Sequence, residues 1–258
     1  MACRDLEGVS WIFRGQQRTR QCWKLLPKAG REDWFGARCA SQLGQTEIEY
    51  PPRICSLDVL PDKNLFEDWC RRSVAYREGS NSDIEALALA QHYGLATRLL
   101  DWSRSPLVGL FFGVEDDEMH DGAVYALLEP KRFYLNYSIW QFGPPILAYE
   151  PPPIDRRILA QAAMFTLHSS PHKPIEPRLI GSGLPDSIRL LQNFEPEMRE
   201  IGVDLVEFVI PGARKRDVRA SLANLGMTRE TLFPDLDGLS EHLNYVHQAR
   251  AKEGERGM

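Results

Sequence analysis

Apolar and polar positions along the chain recur with two periods, and the switches between them mark out the elements. Val9 to Gly15, VSWIFRG, alternates with a period of two and is rich in aromatic and β-branched residues, which predicts a strand ending at Gly15. Trp23 to Pro27 continues extended, Arg31 to Leu43 is amphipathic with helical spacing, and Thr46 to Pro61, with its prolines, reads as a connecting segment. Leu65, Phe66, Trp69 and Val74 fall at helical spacing and predict a helix from Leu65 to Tyr76. A polar break follows, with Ser82 or Asp83 as N-cap of a helix that runs to Tyr93. Gly94 stops that helix by supplying the left-handed residue that a helix C-terminus favours. A strand from Thr97 to Asp101, a turn from Trp102 to Pro106 and a second apolar helix through Val114 come next, Pro106 fitting a first helical turn, where its missing N–H costs nothing.

Beyond an acidic surface turn, Glu115 to Asp121, the run GAVYALL from Gly122 to Leu128 predicts a buried strand. Asn136 to Pro153 is aromatic and proline-rich, too long and irregular for a tight connection, and reads as a lid or interaction loop. Arg156 opens a short helix or turn that carries Gln161 just ahead of a strand from Met164 to His168. Val203 to Ile210 is a further strand, and Lys215 to Leu225 a helix ended by Gly226. FPDLDG is a turn capping a last helix from Leu239 to Ala251, and Lys252 to Met258 is a charged tail expected to fray. Together these predict an α+β fold: a single domain over residues 1–251 with a central mixed or split β-sheet flanked by helices.

Composition narrows the function classes. At 258 residues and 43% hydrophobic content the chain can bury a large core. A net charge of −5 argues against a general nucleic-acid binder, while leaving room for a local basic groove. The first residues, MACRDLEGVSW, carry acidic groups and no apolar core of a signal peptide, and no run reaches membrane-span length, so a soluble, cytoplasmic protein is expected. Cys3, Cys22, Cys39, Cys55 and Cys70 are widely spaced without a CxxC pair and read as free thiols. His168 and His172 are four apart, but Pro171 between them breaks any helix that would align them, and no metal is expected.

The richest chemistry lies between Gln91 and Val114, QHYGLATRLLDWSRSPLVGLFFGV, where Gln91, His92, Thr97, Arg98, Asp101 and Ser103 crowd between apolar segments. So many hydrogen-bonding side chains at a buried junction point to a shared pocket. Each also has an ordinary reading: Asp101 or Ser103 as a helix cap, Trp102 as core, Arg98 in an ion pair with a carboxylate. Arg14, last in its strand before Gly15, suits a bidentate clamp on phosphate or carboxylate, with Gly15 letting a ligand approach the backbone. A structural salt bridge at a strand end is the alternative.

FRGQ at Phe13 to Gln16, QHYGLATRLLDWS at Gln91 to Ser103 with PLVGLFF behind it, QAAMF at Gln161 to Phe165 and LFPDLDGL at Leu232 to Leu239 together resemble the FRG-domain family, named for its Phe-Arg-Gly motif, over nearly the whole chain and in the family's order. The family is found mostly in bacterial and phage proteins. More distantly, the chain resembles ADP-ribosyltransferases, which begin with a strand ending in an aromatic-Arg-Gly motif that grips NAD. They follow with a strand ending in Ser-Thr-Ser and an apolar helix, and complete the site with a glutamate before a later strand. Phe13, Arg14 and Gly15 match the first motif. Asp101, Trp102 and Ser103 stand at the second and depart from it at the first two positions, and Gln161 stands where the glutamate would be.

The resemblance implies an ADP-ribosyltransferase-like fold and an NAD-dependent ADP-ribosyltransferase with Arg14, Ser103 and Gln161 as catalytic residues. Arg14, Gly15, Gln16, Gln91, His92, Tyr93, Thr97, Arg98, Asp101, Trp102 and Ser103 would hold the dinucleotide. Arg14 would anchor the pyrophosphate, Tyr93 or Trp102 wall the nicotinamide, Ser103 orient the ribose, and His92, Arg98 and Asp101 shape the pocket. With glutamine at 161, either catalysis is weakened, or Asp101 or Glu150 takes over the missing carboxylate's task, or the chain is not such an enzyme. A toxin or phage-defence effector modifying RNA or protein follows by the same analogy, with an antitoxin partner and Arg18, Arg20, Lys24 and Arg31 as a basic groove for RNA. The rival expectations are a non-catalytic nucleotide- or partner-binding module and an NAD hydrolase.

Overall fold

The computed structural model describes residues 10–19, 21, 23–31, 61–77, 82–116, 118–130, 132–134, 138–141, 143–175, 178–179, 188–192 and 204–256. Its strands are β1 (Trp11–Gln16), β2 (Leu99–Ser103), β3 (Gly122–Leu128), β4 (Ile146–Tyr149), β5 (Ala163–His168), β6 (Arg178–Leu179), β7 (Ile188–Gln192) and β8 (Asp204–Ile210). The α-helices are α1 (Pro61–Ser73), α2 (Asp83–His92), α3 (Pro106–Val114), α4 (Arg156–Ala160), α5 (Lys215–Asn224), α6 (Arg229–Leu232) and α7 (Leu236–Arg256). The strands lie side by side in the order β4, β5, β2, β1, β3, β8, β7, β6, and every neighbouring pair is antiparallel. The α+β class therefore stands, while the mixed sheet is corrected to an antiparallel one. Periodicity reports which face a residue takes and says nothing of strand direction.

The pairing is uneven, and the unevenness shapes the molecule. β1 and β3 pair from Trp11↔Leu128 to Gln16↔Ala123, and β2 and β5 from Leu99↔Leu167 to Ser103↔Ala163, so both ladders run the full strand length. Between β1 and β2, Phe13↔Ser103 is the single register pair. The eight-stranded sheet is thus held across its middle, between β4, β5, β2 and β1, β3, β8, β7, β6, by a far shorter pairing than on either side.

Local chemistry builds the elements that flank this seam. At the start of α2 the Ser82 N–H donates to the Glu85 carboxylate at 3.0 Å, and Gly94, at φ 88°, closes its end as predicted. Ser105 caps α3 by accepting from the Val108 N–H at 3.4 Å, with Pro106 in the first turn. Helix α3 lies directly on β1: a Cβ on Gly15 would collide with the Gly109 carbonyl and the Gly113 amide. Val108, Phe111 and Val114 then pack on Val124 and Ile210. On the other face Ile12, Leu100, Trp102, Tyr125, Leu127 and Met164 form the central core.

Several boundaries differ from the sequence expectation. β2 starts and ends two residues later, so Trp102 and Ser103 belong to the strand, paired with Met164 and Ala163, where a turn was expected. α1 begins at Pro61 instead of Leu65, because proline suits a first helical turn and Asp62 follows it there. The proline-rich segment from Asn136 to Pro153 contains β4, whose four residues are all buried and pair with β5, so the prolines bound an edge strand instead of filling a loop. α7 starts early, Asp235 accepting from the Gly238 N–H at 2.8 Å, and continues through Lys252 to Arg256, part of the tail expected to fray. The predicted helix from Arg31 to Leu43 and the connecting segment from Thr46 lie outside the described residues except at their ends.

Candidate functional site

At the seam between β1 and β2 the sheet opens into a cavity of about 1450 Å³. Alternation along β1 sends Phe13 to the α3 side and Arg14 and Gln16 to the opposite side. All three line the cavity, because the gap between the strands joins the two faces. Arg14 stands in that gap. Its Nη1 donates to the Asp101 carbonyl at 2.8 Å and lies 3.6 Å from the Asp101 carboxylate, so the guanidinium serves a β2 backbone group that the ladder leaves unpaired. Burial lowers its pKa and Asp101 opposes that shift, yet an arginine stays charged. Its Nε is buried without a hydrogen-bond partner among the described residues.

A short relay positions Asp101. The Thr97 hydroxyl donates to the Gln91 amide oxygen while accepting from the Leu99 N–H, and Gln91 Nε2 donates to Asp101 Oδ1 at 2.7 Å. Gln91 and Asp101 line the cavity; Thr97, 1% exposed, supports them from behind. His92 also lines it, with Nε2 3.7 Å from Asp155.

Ser103 and Gln161 meet at the other end of β2. The Ser103 hydroxyl donates to the Gln161 carbonyl at 2.6 Å, Arg104 N–H donates to the Ala162 carbonyl at 2.9 Å, and Gln161 Nε2 donates to the Leu232 carbonyl at 3.0 Å. Ala162 sits at φ 45°, strained for a residue with a Cβ, in the turn that delivers Gln161 to the cavity wall. The three segments singled out in the sequence, at Arg14, at Asp101 to Ser103 and at Gln161, therefore share one cavity.

Other expected site residues go elsewhere. Arg98 is fully buried: Nε and Nη2 donate to Asp62 at 2.7 and 3.0 Å, and its guanidinium lies 4.6 Å from the Trp140 ring centre, so it ties α1 to β2. Tyr93 is 74% exposed beyond the end of α2 and is not part of the cavity wall. Trp102 touches the cavity but is 4% exposed, with its indole N–H donated to Thr166 at 2.9 Å, so it offers no open ring face. Gly15 reaches the cavity, yet its missing side chain makes room for α3 and not for a ligand. Glu150 is held by Arg104 and Arg132 and does not line the cavity.

What sequence reasoning missed is the aromatic wall and part of the cationic one. Trp23 lines the cavity and is 44% exposed, with the Arg18 guanidinium 5.6 Å from its ring; Phe112 and Phe233 line it too. The signal for Trp23 was a large aromatic inside the polar, basic run QQRTRQCWK, where no core periodicity calls for one. Lys24 and Arg31, expected near Arg14, line the cavity, and Arg157 and Lys173 join them. Arg20 lies outside the described residues. Arg157 pairs with Asp235 and the cavity's Glu115 pairs with Arg229, which leaves Lys24, Arg31 and Lys173 without an ion pair among the described residues. In a chain of net charge −5, the cleft is a local patch of positive potential.

The fold is thus α+β, an antiparallel sheet with a cation-lined cleft beside β1 and β2. Residues 9–122, from β1 to the start of β3, match the family model of the FRG domain. No curated protein and no solved structure matches the chain. Among the described residues no helix is long and apolar enough to cross a membrane, and no group of three or more His, Cys, Asp and Glu side chains could hold a metal ion.

Proposed function

We propose that the cleft binds NAD and transfers its ADP-ribosyl group to a macromolecular acceptor, RNA or protein. The observation that carries this reading is the convergence of Arg14, Asp101, Ser103 and Gln161 on one cavity with an excess of cationic side chains. A dinucleotide needs an anchor for its pyrophosphate, and Arg14 with Lys24 and Arg31 supplies that charge. Trp23 has the exposed ring face that Tyr93 and Trp102 do not bring to the cavity. In the reaction the bond between nicotinamide and ribose breaks with its electron pair leaving on nicotinamide. The ribosyl carbon gains positive charge, and the acceptor nucleophile bonds to it as its proton is released. Gln161 carries no charge and its amide is committed to the Leu232 carbonyl, so Asp101, steadied by Gln91, is the carboxylate assigned to stabilise that charge.

The short β1–β2 pairing beside the cleft supports the same reading. A toxin or phage-defence effector role, with an antitoxin partner, belongs to this proposal by analogy. The test is incubation of the full chain with NAD. Nicotinamide release, or a labelled acceptor, is expected, and is lost in Arg14→Ala with the circular dichroism spectrum unchanged. A second reading, a nucleotide-binding module without turnover, is favoured by the missing charge at Gln161; tight NAD binding with no nicotinamide release selects it.

A further inference from the structure

Gln16 ends β1, one residue beyond Gly15 and on the same face as Arg14. It is 6% exposed and lines the cavity, and its buried side-chain oxygen has no hydrogen-bond partner among the described residues. The Lys215 ammonium, which donates to the Gln17 and Asp116 carbonyls, and the Tyr125 hydroxyl, which donates to Glu207, do not bond it. A buried carbonyl oxygen left without a donor costs free energy in the empty protein, and that cost is relieved by a ligand that brings an N–H. Two residues along a strand span roughly 7 Å, so the position asks for a donor about that far from the anion held at Arg14.

We infer that Gln16 is a specificity-determining residue, whose amide oxygen accepts a hydrogen bond from an amino group on a planar heteroaromatic part of the ligand. This rests on the NAD reading above. In NAD two groups have that chemistry, the carboxamide N–H₂ of nicotinamide and the exocyclic amino group of adenine. A site that presents an acceptor to a buried donor discriminates strongly against an analogue that lacks the donor, because the protein group is then stranded.

The experiment is equilibrium binding of three dinucleotides to the full chain by titration calorimetry: NAD, nicotinic acid adenine dinucleotide, which replaces the carboxamide by a carboxylate, and nicotinamide hypoxanthine dinucleotide, which lacks the adenine amino group. The wild-type protein is expected to bind one of the two analogues about 10- to 100-fold more weakly than NAD, and which one it is identifies the amino group read. Gln16→Met, close in size and without the acceptor, is expected to lose a similar factor for NAD and to bind that analogue as it binds NAD. Equal affinity of the wild type for all three overturns the inference without any variant. So does a folded Gln16→Met that keeps the wild-type preference, and in either case NAD binding itself stands. Failure of the wild type to bind NAD at all overturns the parent reading and this one together.

Discussion

Asp101 and His168 show how single side chains divide between the cleft and its support. Asp101 is exposed to the cavity and steadied by Gln91, so Asp101→Asn is expected to lower nicotinamide release by about 100-fold or more with little change in KM. That is the pattern for a group whose charge matters in the transition state. Steady-state kinetics with NAD decide it. His168 lies behind the site, where Thr166 Oγ1 accepts from the Trp102 indole and is 2.9 Å from His168 Nε2. The direction of that contact follows the imidazole tautomer, and burial holds the ring neutral. Burial first, then Arg98 and Arg14, push the His168 pKa down to about 3 from an ordinary 6.5. The native state thus refuses a proton that the unfolded chain takes up below pH 6.5. Stability present above that pH is lost as the pH falls toward 3, by about 1.4 kcal/mol per unit well inside the window. Urea unfolding at pH 7 and pH 5 checks this, and His168→Gln is expected to lose less between the two.

At the scale of elements, the contacts that carry most are those that local patterns leave open. Arg98 and Asp62 form a buried pair joining β2 to α1, so Asp62→Ala is expected to cost about 3–5 kcal/mol by stranding the guanidinium. Removing both charges in Arg98→Met with Asp62→Leu is expected to restore much of it; a denaturant double-mutant cycle measures both. Gly15→Ala is expected to destabilise by at least about 2 kcal/mol, because the added methyl meets α3 backbone, which cannot yield as a side chain could. The FRG motif's glycine is thus explained by helix packing. Elements with a clear period, β1, α2, α3, β3, β5 and β8, were legible in the sequence to within a few residues. β4 was not, because the prolines around it look like loop chemistry while its pairing with β5 is a nonlocal fact. The same limit applies to the site. The segments at Arg14, Asp101 to Ser103 and Gln161 could be named from sequence. The burial of Trp102, the pairing of Arg98 and the exposure of Trp23 depend on partners far along the chain.

For the whole molecule the decisive contrast is between an acidic chain and a basic cleft. Diffuse negative charge disfavours polyanions over most of the surface, while Lys24, Arg31 and Lys173 at the seam would favour a small anion, as the proposed function requires. NAD affinity is therefore expected to fall several-fold between about 50 and 500 mM salt, as screening shortens the reach of those charges. Lys24→Ala with Arg31→Ala is expected to flatten that dependence, which calorimetry at several ionic strengths reads directly. The single register pair at Phe13↔Ser103 has its own consequence for how the protein breathes. Backbone amides on the two facing strand edges lack the protection that a continuous ladder gives, so a deuterium-uptake map should show a fast stripe through the middle of an otherwise slow sheet. A molecule lodged there would stitch the halves together, and the stripe would fade as it binds.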